Sequence, residues 1–156
     1  MDALFQTQSN ELSTITQKEK LFKDAERQWN TLSSEKGAPG RKVDFEIYKS
    51  ILYNLEIRKV YLDSKLSLEK FSSIVGTNTT YLSNVVNHYF KCNYKHLLNK
   101  YRIRYAKQLI SNEVYSPNEL YKPCGFSSRS AFYAAFKKIM RVSPLYYQKY
   151  YKDKQI

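Results

Sequence analysis

The sequence predicts an all-α protein in which two helix-turn-helix subdomains are joined by a long linking helix and preceded by a helical leader. Three observations predict it. After Asp44, apolar residues recur at helical spacing and nothing alternates as a strand would. The 156 residues hold only 4 Gly and 4 Pro, fewer than the turns of an all-β fold demand. One pattern of short helix, tight turn and second helix occurs twice, about 50 residues apart.

Residues 9–33 read as the leader helix. Ile15, Phe22 and Trp29 fall seven apart, Ala25 and Leu32 lie three further on, and Lys18 interrupts the stripe. Such a stripe serves a short coiled coil, or an amphipathic helix lying on its own domain or on a partner. The pattern leaves these open. Ser33-Ser-Glu-Lys-Gly-Ala-Pro-Gly40 reads as a linker, because Gly37, Pro39 and Gly40 stop a helix. Leader and linker are therefore expected over 1–43, and a globular body over 44–156.

The body opens with a predicted helix over Phe45–Tyr61, carrying Ile47, Ile51, Leu52, Leu55 and Val60 at helical spacing. Ser67 is a candidate N-cap, with Leu66 and Phe71 placed to form a hydrophobic staple. The short helix that follows ends at Gly76, where a left-handed cap is needed. Asn78 caps a second helix, Thr79–Phe90. Residues 66–91 are thus the first helix-turn-helix. Its second helix turns Leu82, Val85, Val86, Tyr89 and Phe90 inward. Opposite them stand Thr80, Ser83, Asn84 and Asn87, at i, i+3, i+4 and i+7. A plain solvated face would mix Lys and Glu. Short neutral hydrogen-bonding groups suit base edges and phosphates, and Asn can pair bidentately with adenine; an ordinary polar helix face is the alternative for this helix taken alone.

The linking helix is expected over 94–111. Leu97, Leu98, Tyr101, Tyr105, Leu109 and Ile110 face inward, while Lys95, Lys100, Arg102, Arg104 and Lys107 decorate the outside. Its length is roughly 27 Å at 1.5 Å per residue. The pattern then returns over 116–141. Ser116-Pro-Asn-Glu119 is a capping box with Pro117 at the first helical position. A short helix runs on to Gly125, and Ser127 or Ser128 caps Arg129–Met140. Phe132, Ala135, Phe136 and Ile139 form one side of that helix; Arg129, Ser130, Tyr133, Ala134 and Lys137 form the other. Arg at the first turn suits a bidentate contact to guanine, or a contact to phosphate or solvent. Val142-Ser-Pro-Leu145 leads into a last helix with Tyr146, Tyr147, Tyr150 and Tyr151. Successive major-groove entries on one face of a duplex lie about 34 Å apart. Two such units on one rigid connector are of that scale.

Charge points the same way. Lys and Arg number 26 against 14 Asp and Glu, for a net +12. Residues 1–43 hold 7 basic and 6 acidic residues, the rest 19 and 8, and all 15 Tyr lie after residue 43. Such a field attracts polyanions, nucleic acid first and an anionic membrane surface second. No Gly-rich phosphate loop, Ser/His/Asp set or paired carboxylates occur. His88 and His96 stand eight apart in different predicted helices, without Cys or carboxylates at metal spacing. No catalytic residues, metal or cofactor are expected. The 2 Cys, Cys92 and Cys124, give no disulfide framework and are expected to be small buried apolar residues. A redox switch would need exposure and a depressed pKa. The start lacks a basic n-region, and no window reaches the ~18 apolar residues of a span. Neither secretion nor a membrane span is expected, and the location expected is the cytoplasm.

Leu66-Ser-Leu-Glu-Lys-Phe-Ser-Ser-Ile-Val-Gly76, Tyr81-Leu-Ser83 and Tyr101-Arg-Ile-Arg-Tyr-Ala106 carry a family pattern. So do Cys124-Gly-Phe-Ser-Ser-Arg-Ser-Ala-Phe-Tyr-Ala-Ala-Phe-Lys-Lys138, Val142-Ser-Pro144 and Tyr147. Together they resemble the DNA-binding domain of AraC/XylS-type transcription regulators, over about 45–150. The resemblance implies two helix-turn-helix subdomains, a linking helix and no enzymatic activity. It places the family's base contacts at Thr80, Ser83 and Asn84, and at Arg129, Ser130, Tyr133 and Ala134. Asn87, Lys137 and Lys138 are the candidate phosphate contacts. Segment 94–106 looks most like bacterial regulators of Bacteroidetes type, where this domain often ends a larger sensor chain. Residues 1–43 would then be a connector.

Four positions depart from the family pattern. Lys91 and Arg141 replace the usual glycines after the two recognition helices, so these helices are expected to end differently. Tyr121 replaces a small residue and must push helices apart or turn outward. Pro123 removes a backbone bond from the short helix. Ala134 offers only methyl contact. The second unit is expected to sit displaced from the standard docking pose.

The reading expected is a sequence-specific DNA-binding transcription regulator using two recognition helices. Activation rather than repression, with RNA polymerase as a partner, is what the resemblance implies. Double-stranded DNA is the main partner, and a sensory domain or a second copy would meet 9–33. The alternative is a basic helical protein-interaction scaffold with incidental DNA affinity.

Overall fold

The structure, a computed structural model, describes residues 2–35, 42–113 and 115–154, with side chains over 16–32, 42–113 and 115–151. Its helices are α1 (Asp2–Glu35), α2 (Lys42–Leu52), α3 (Leu68–Val75), α4 (Thr79–Tyr89), α5 (Tyr94–Ser111), α6 (Arg129–Met140) and α7 (Pro144–Lys154). Among the described residues there is no strand. The chain divides into two compact units. One comprises Met1–Lys59 and Glu69–Lys91, the other Val60–Leu68 and Cys92–Ile156.

In the first unit the leader lies on its own domain. Ala25 and Trp29 are buried. The Trp29 ring sits 5.5 Å from Phe45, 5.6 Å from Tyr48 and 4.3 Å from Tyr89, and Phe22 sits 6.3 Å from Tyr53. Of the uses open to the stripe, the Phe22–Trp29 stretch takes this one. The Ile15 side chain and the linker over 36–40 lie outside the described residues.

α2 starts at Lys42 and stops at Leu52, short of the expected Tyr61. A π-turn, Tyr53–Ile57, and a 3-10 turn, Val60–Leu62, follow it. Buried Asn54 is the local cause. Its Nδ2 donates to the Ser50 carbonyl at 2.9 Å, the acceptor an α-helix would give to the Asn54 backbone N–H. The Arg58 N–H then donates five residues back, to Tyr53 at 3.2 Å. Left-handed Lys59 (φ 52°) ends the element.

The helix-turn-helix signals hold in the first unit. α3 closes in a Schellman pattern: the Thr77 N–H donates to Ser72 at 2.9 Å and the Gly76 N–H to Ser73 at 3.2 Å, with Gly76 at φ 90°. Phe71, Leu82 and Val86 are fully buried beneath it.

In the second unit the repeat is only half regular. Residues 117–125 form successive turns, not the expected short helix. Pro123 has no N–H to donate, and its ring clashes with a continuing helix. The segment still closes as α3 does. Phe126 N–H donates to Tyr121 at 2.8 Å, Gly125 N–H to Lys122 at 3.0 Å, and Gly125 has φ 88°. Ile103, Ala106, Ile110, Leu120, Cys124, Phe126, Phe132 and Phe136 form the core, and Tyr121 is half-buried at its edge. α5 differs from expectation at Arg102, which is buried instead of decorating the surface. Tyr101, Tyr105 and Leu109 are only half-buried, whereas Ile103 and Ala106 are fully inside.

Lys91 (φ 57°) and Arg141 (φ 65°) both adopt the left-handed conformation. The expectation that the two helices would end differently is therefore overturned. The glycine geometry is kept without glycine, at a cost of about 1–2 kcal/mol each.

Candidate nucleic-acid interface

Each candidate surface is held out by a capped helix. Asn78 Oδ1 accepts from the Tyr81 N–H at 2.9 Å and fixes the start of α4. Ser128 Oγ accepts from the Ala131 N–H at 3.1 Å and fixes α6, deciding between the two serines. Leu82, Val85, Val86 and Tyr89 anchor α4 from within; Phe132, Ala135 and Phe136 anchor α6. What remains outside is set by the 3.6-residue period.

On α4, Thr80, Asn84 and Asn87 are exposed and Ser83 is half-exposed, all on one face. On α6, Arg129, Ser130 and Lys137 are exposed, with half-buried Tyr133 among them. Lys138 is exposed but stands further round the helix, beside His96 of α5. The sequence signals thus group Thr80, Ser83, Asn84 and Asn87, and separately Arg129, Ser130, Tyr133 and Lys137. Lys138 is set apart from the second group.

Neither face carries a carboxylate. No Asp or Glu occurs between Glu69 and Glu113, or between Glu119 and Asp153. Asp44 of α2 borders α4, but it is buried and its Oδ2 accepts from the Tyr89 hydroxyl at 3.2 Å. The two helix faces themselves therefore offer a polyanion neutral hydrogen-bonding groups and cations, with exposed Glu46 beside Tyr81 and Glu119 beside Asn118 at their margins.

Three neighbours escaped the sequence reading. Tyr81 and His88 flank the α4 face, sharing a hollow with Asn84 and Asn87. Asn118, from the turn before α6, accepts the Tyr133 hydroxyl proton on Oδ1 at 2.8 Å. Helical periodicity within 79–90 could have found the first two. Nothing local marks Asn118, fifteen residues from its partner.

Cys124 is fully buried, and burial pushes its thiol up to about 12. Cys92 is only half-buried; burial raises its thiol as well, with Lys100 opposing. Among the described residues no group of three His, Cys, Asp or Glu could hold a metal ion, and no helix is long and apolar enough to cross a membrane.

A family described as a helix-turn-helix domain matches residues 71–150, half of the chain. The C-terminal domain of AraT, a response regulator from Geobacillus stearothermophilus, is 28% identical with a TM-score of 0.59, over 67% of this chain and 84% of that one. A regulator from Chromobacterium violaceum, described as of AraC-type DNA-binding-domain proteins, gives 18% identity and a TM-score of 0.58, over 65% and 91%. The chain belongs to the AraC-type helix-turn-helix family. The DNA-binding domain of AdpA, a global transcriptional factor seen in complex with a target DNA, shares the fold at 18% identity and a TM-score of 0.62, over 70% and 95%. No curated protein matches the chain. The AraC-type match contains both candidate faces, on α4 and α6, and the whole of α5. The leader α1 lies outside it.

Proposed function

We propose that this AraC-type protein is a sequence-specific transcription activator that reads two adjacent major grooves of one duplex with α4 and α6. The observation that carries the reading is the pair of exposed helix faces without a carboxylate, one neutral and hydrogen-bonding, one cationic. Thr80, Ser83 and Asn84 contact bases in one groove, and Arg129, Ser130 and Tyr133 in the other. Asn87, Lys137 and Lys138 contact phosphates. Lys and Arg supply most of the affinity by releasing counterions, whereas the base contacts supply the preference for one site. The fold shared with the AdpA domain, which is bound to target DNA in its own structure, supports this reading.

Activation implies contact with RNA polymerase. A sensory domain or second copy would meet the leader ahead of Phe22, because Phe22, Ala25 and Trp29 are already covered by the first unit.

The test is selection of bound duplexes from a random pool, followed by titration of the winner and a scrambled duplex across salt. A bipartite site with its halves one helical turn apart is expected, and log affinity should fall linearly with log salt while the preference persists. Binding without a preferred site at any salt would overturn the reading and leave a basic scaffold with incidental DNA affinity.

A further inference from the structure

We propose that Asn118 fixes the hydrogen-bonding polarity of Tyr133, so that α6 selects which DNA strand carries an amino base, adenine or cytosine, at the position Tyr133 meets. The inference rests on the reading of α6 as a base-contacting helix.

Tyr133 is held on two sides. Its ring packs edge-on against buried Phe132, with centroids 5.7 Å apart and planes at 88°. Its hydroxyl donates to Asn118 Oδ1 at 2.8 Å, the usual length of an O–H···O bond. A phenol has one proton to give. With that proton directed at Asn118, the oxygen presents only lone pairs to a ligand, and donating makes it a better acceptor. A group that can only accept needs a partner that donates. In the major groove the donors are the N6 amino group of adenine and the N4 amino group of cytosine; guanine and thymine offer carbonyl oxygens there.

Every base pair carries one amino base and one carbonyl base. The device therefore does not separate A·T from G·C. It separates the two orientations of each pair, favouring adenine or cytosine on the strand nearest Tyr133. Asn118 is a positioning residue in this scheme. Its carbonyl oxygen holds the phenol, and its two amide N–H groups are left to donate to a phosphate oxygen.

The test uses the full chain and a random duplex pool, comparing wild type with Tyr133→Phe, Asn118→Ala and Asn118→Asp. In the wild type, one position is expected to favour adenine and cytosine over guanine and thymine. Tyr133→Phe and Asn118→Ala should both flatten that same position, by on the order of fivefold, leaving the other positions sharp. Asn118→Asp still accepts the phenol proton, so it should restore the preference while binding every duplex more weakly. A merely structural role for Asn118 would not produce that split. The proposal is overturned if Tyr133→Phe flattens a position that favoured guanine and thymine, if it flattens none, or if Asn118→Ala leaves the Tyr133 position as sharp as before. These failures leave a wild-type site intact. Failure of the wild type to select any site would instead remove the base-reading role of α6 and this proposal with it.

Discussion

Arg102 Nε donates to the Tyr61 carbonyl oxygen at 2.7 Å, joining α5 to the 3-10 turn that enters the second unit. Nη2 of the same guanidinium reaches the Asp63 carbonyl at 3.0 Å, and the group lies over the Phe126 ring at 5.4 Å. Burial lowers the pKa of Arg102, with Tyr94 and Asp63 opposing. It remains charged at any relevant pH. Truncation to Ala removes the guanidinium from both carbonyls and from the Phe126 ring, though the Asp63 carbonyl keeps the Leu66 N–H at 3.2 Å, so Arg102→Ala is expected to cost about 1–3 kcal/mol of stability. Arg102→Lys should recover only part, because a single ammonium cannot reproduce the planar fork. Urea unfolding followed by circular dichroism measures both. A loss under about 0.5 kcal/mol for Ala would show that the guanidinium is not structural.

Gly125 and Gly76 are related by the repeat and share nearly the same φ, 88° and 90°. Their surroundings differ. A Cβ at Gly125 would stand 2.4 Å from the Tyr61 carbonyl oxygen and 3.0 Å from Arg102 Nε, whereas one at Gly76 meets nothing within 4 Å. Gly76→Ala should cost only the left-handed backbone penalty, about 1–2 kcal/mol. Gly125→Ala carries the same penalty and also displaces the Arg102–Tyr61 bond, so its loss should exceed that of Gly76→Ala clearly. Equal losses in thermal melts would mean that the backbone there yields to the methyl group.

Trp29 is the only tryptophan and is enclosed by Phe45, Tyr48 and Tyr89. Its fluorescence therefore reports the first unit alone. The emission should be blue-shifted in the native protein and move red as that unit opens. Trp29→Ala is expected to destabilise the first unit by about 3–5 kcal/mol. Amide hydrogen exchange should show faster opening in α1, α2 and α4, with α6 protected as before. Unchanged exchange in α4 would mean that the leader only rests on the domain.

How much of this was readable beforehand depended on the range of the interaction concerned. α4, α5 and α6 begin where their sequence signals lie, because caps and apolar periodicity act within a few residues. The faces of Thr80, Ser83, Asn84 and Asn87, and of Arg129, Ser130 and Tyr133, follow from the same period. Signals that depend on partners far along the chain were not readable. Arg102 looks like a surface cation until the Tyr61 and Asp63 carbonyls, about 40 residues away, are placed beside it. Asn54 is buried, and its side chain bonds the Ser50 carbonyl where α2 gives way to the π-turn. Ser116–Glu119 is a capping box in sequence, but Pro123 outweighs it. Lys91 and Arg141 show that the fold imposes left-handed geometry where composition argues against it.

That imposed geometry is itself measurable. Arg141 is the left-handed cap of α6, with its N–H donating to Lys137 at 2.9 Å, and Lys91 has the corresponding φ after α4. Glycine has no Cβ penalty there but loses more backbone entropy on folding. Arg141→Gly and Lys91→Gly are each expected to raise stability by about 0.5–1 kcal/mol. Differential scanning calorimetry would show the rise in melting temperature. A fall in both would indicate that the long side chains contribute packing that outweighs the strain.

His96 gives the stability a pH dependence. Its pKa is lowered below the ordinary 6.5, first by burial and then by the Lys100 and Lys138 charges. The unfolded chain therefore takes up the proton before the folded protein does as pH falls. The contribution of the neutral imidazole is complete above pH 6.5 and is lost as pH drops from there towards the folded-state value. Urea midpoints should accordingly fall between pH 7.5 and 5.5. In His96→Gln, which cannot titrate, that part of the slope should vanish even if the variant is uniformly less stable. An identical slope in wild type and variant would show that His96 is not the source of the dependence.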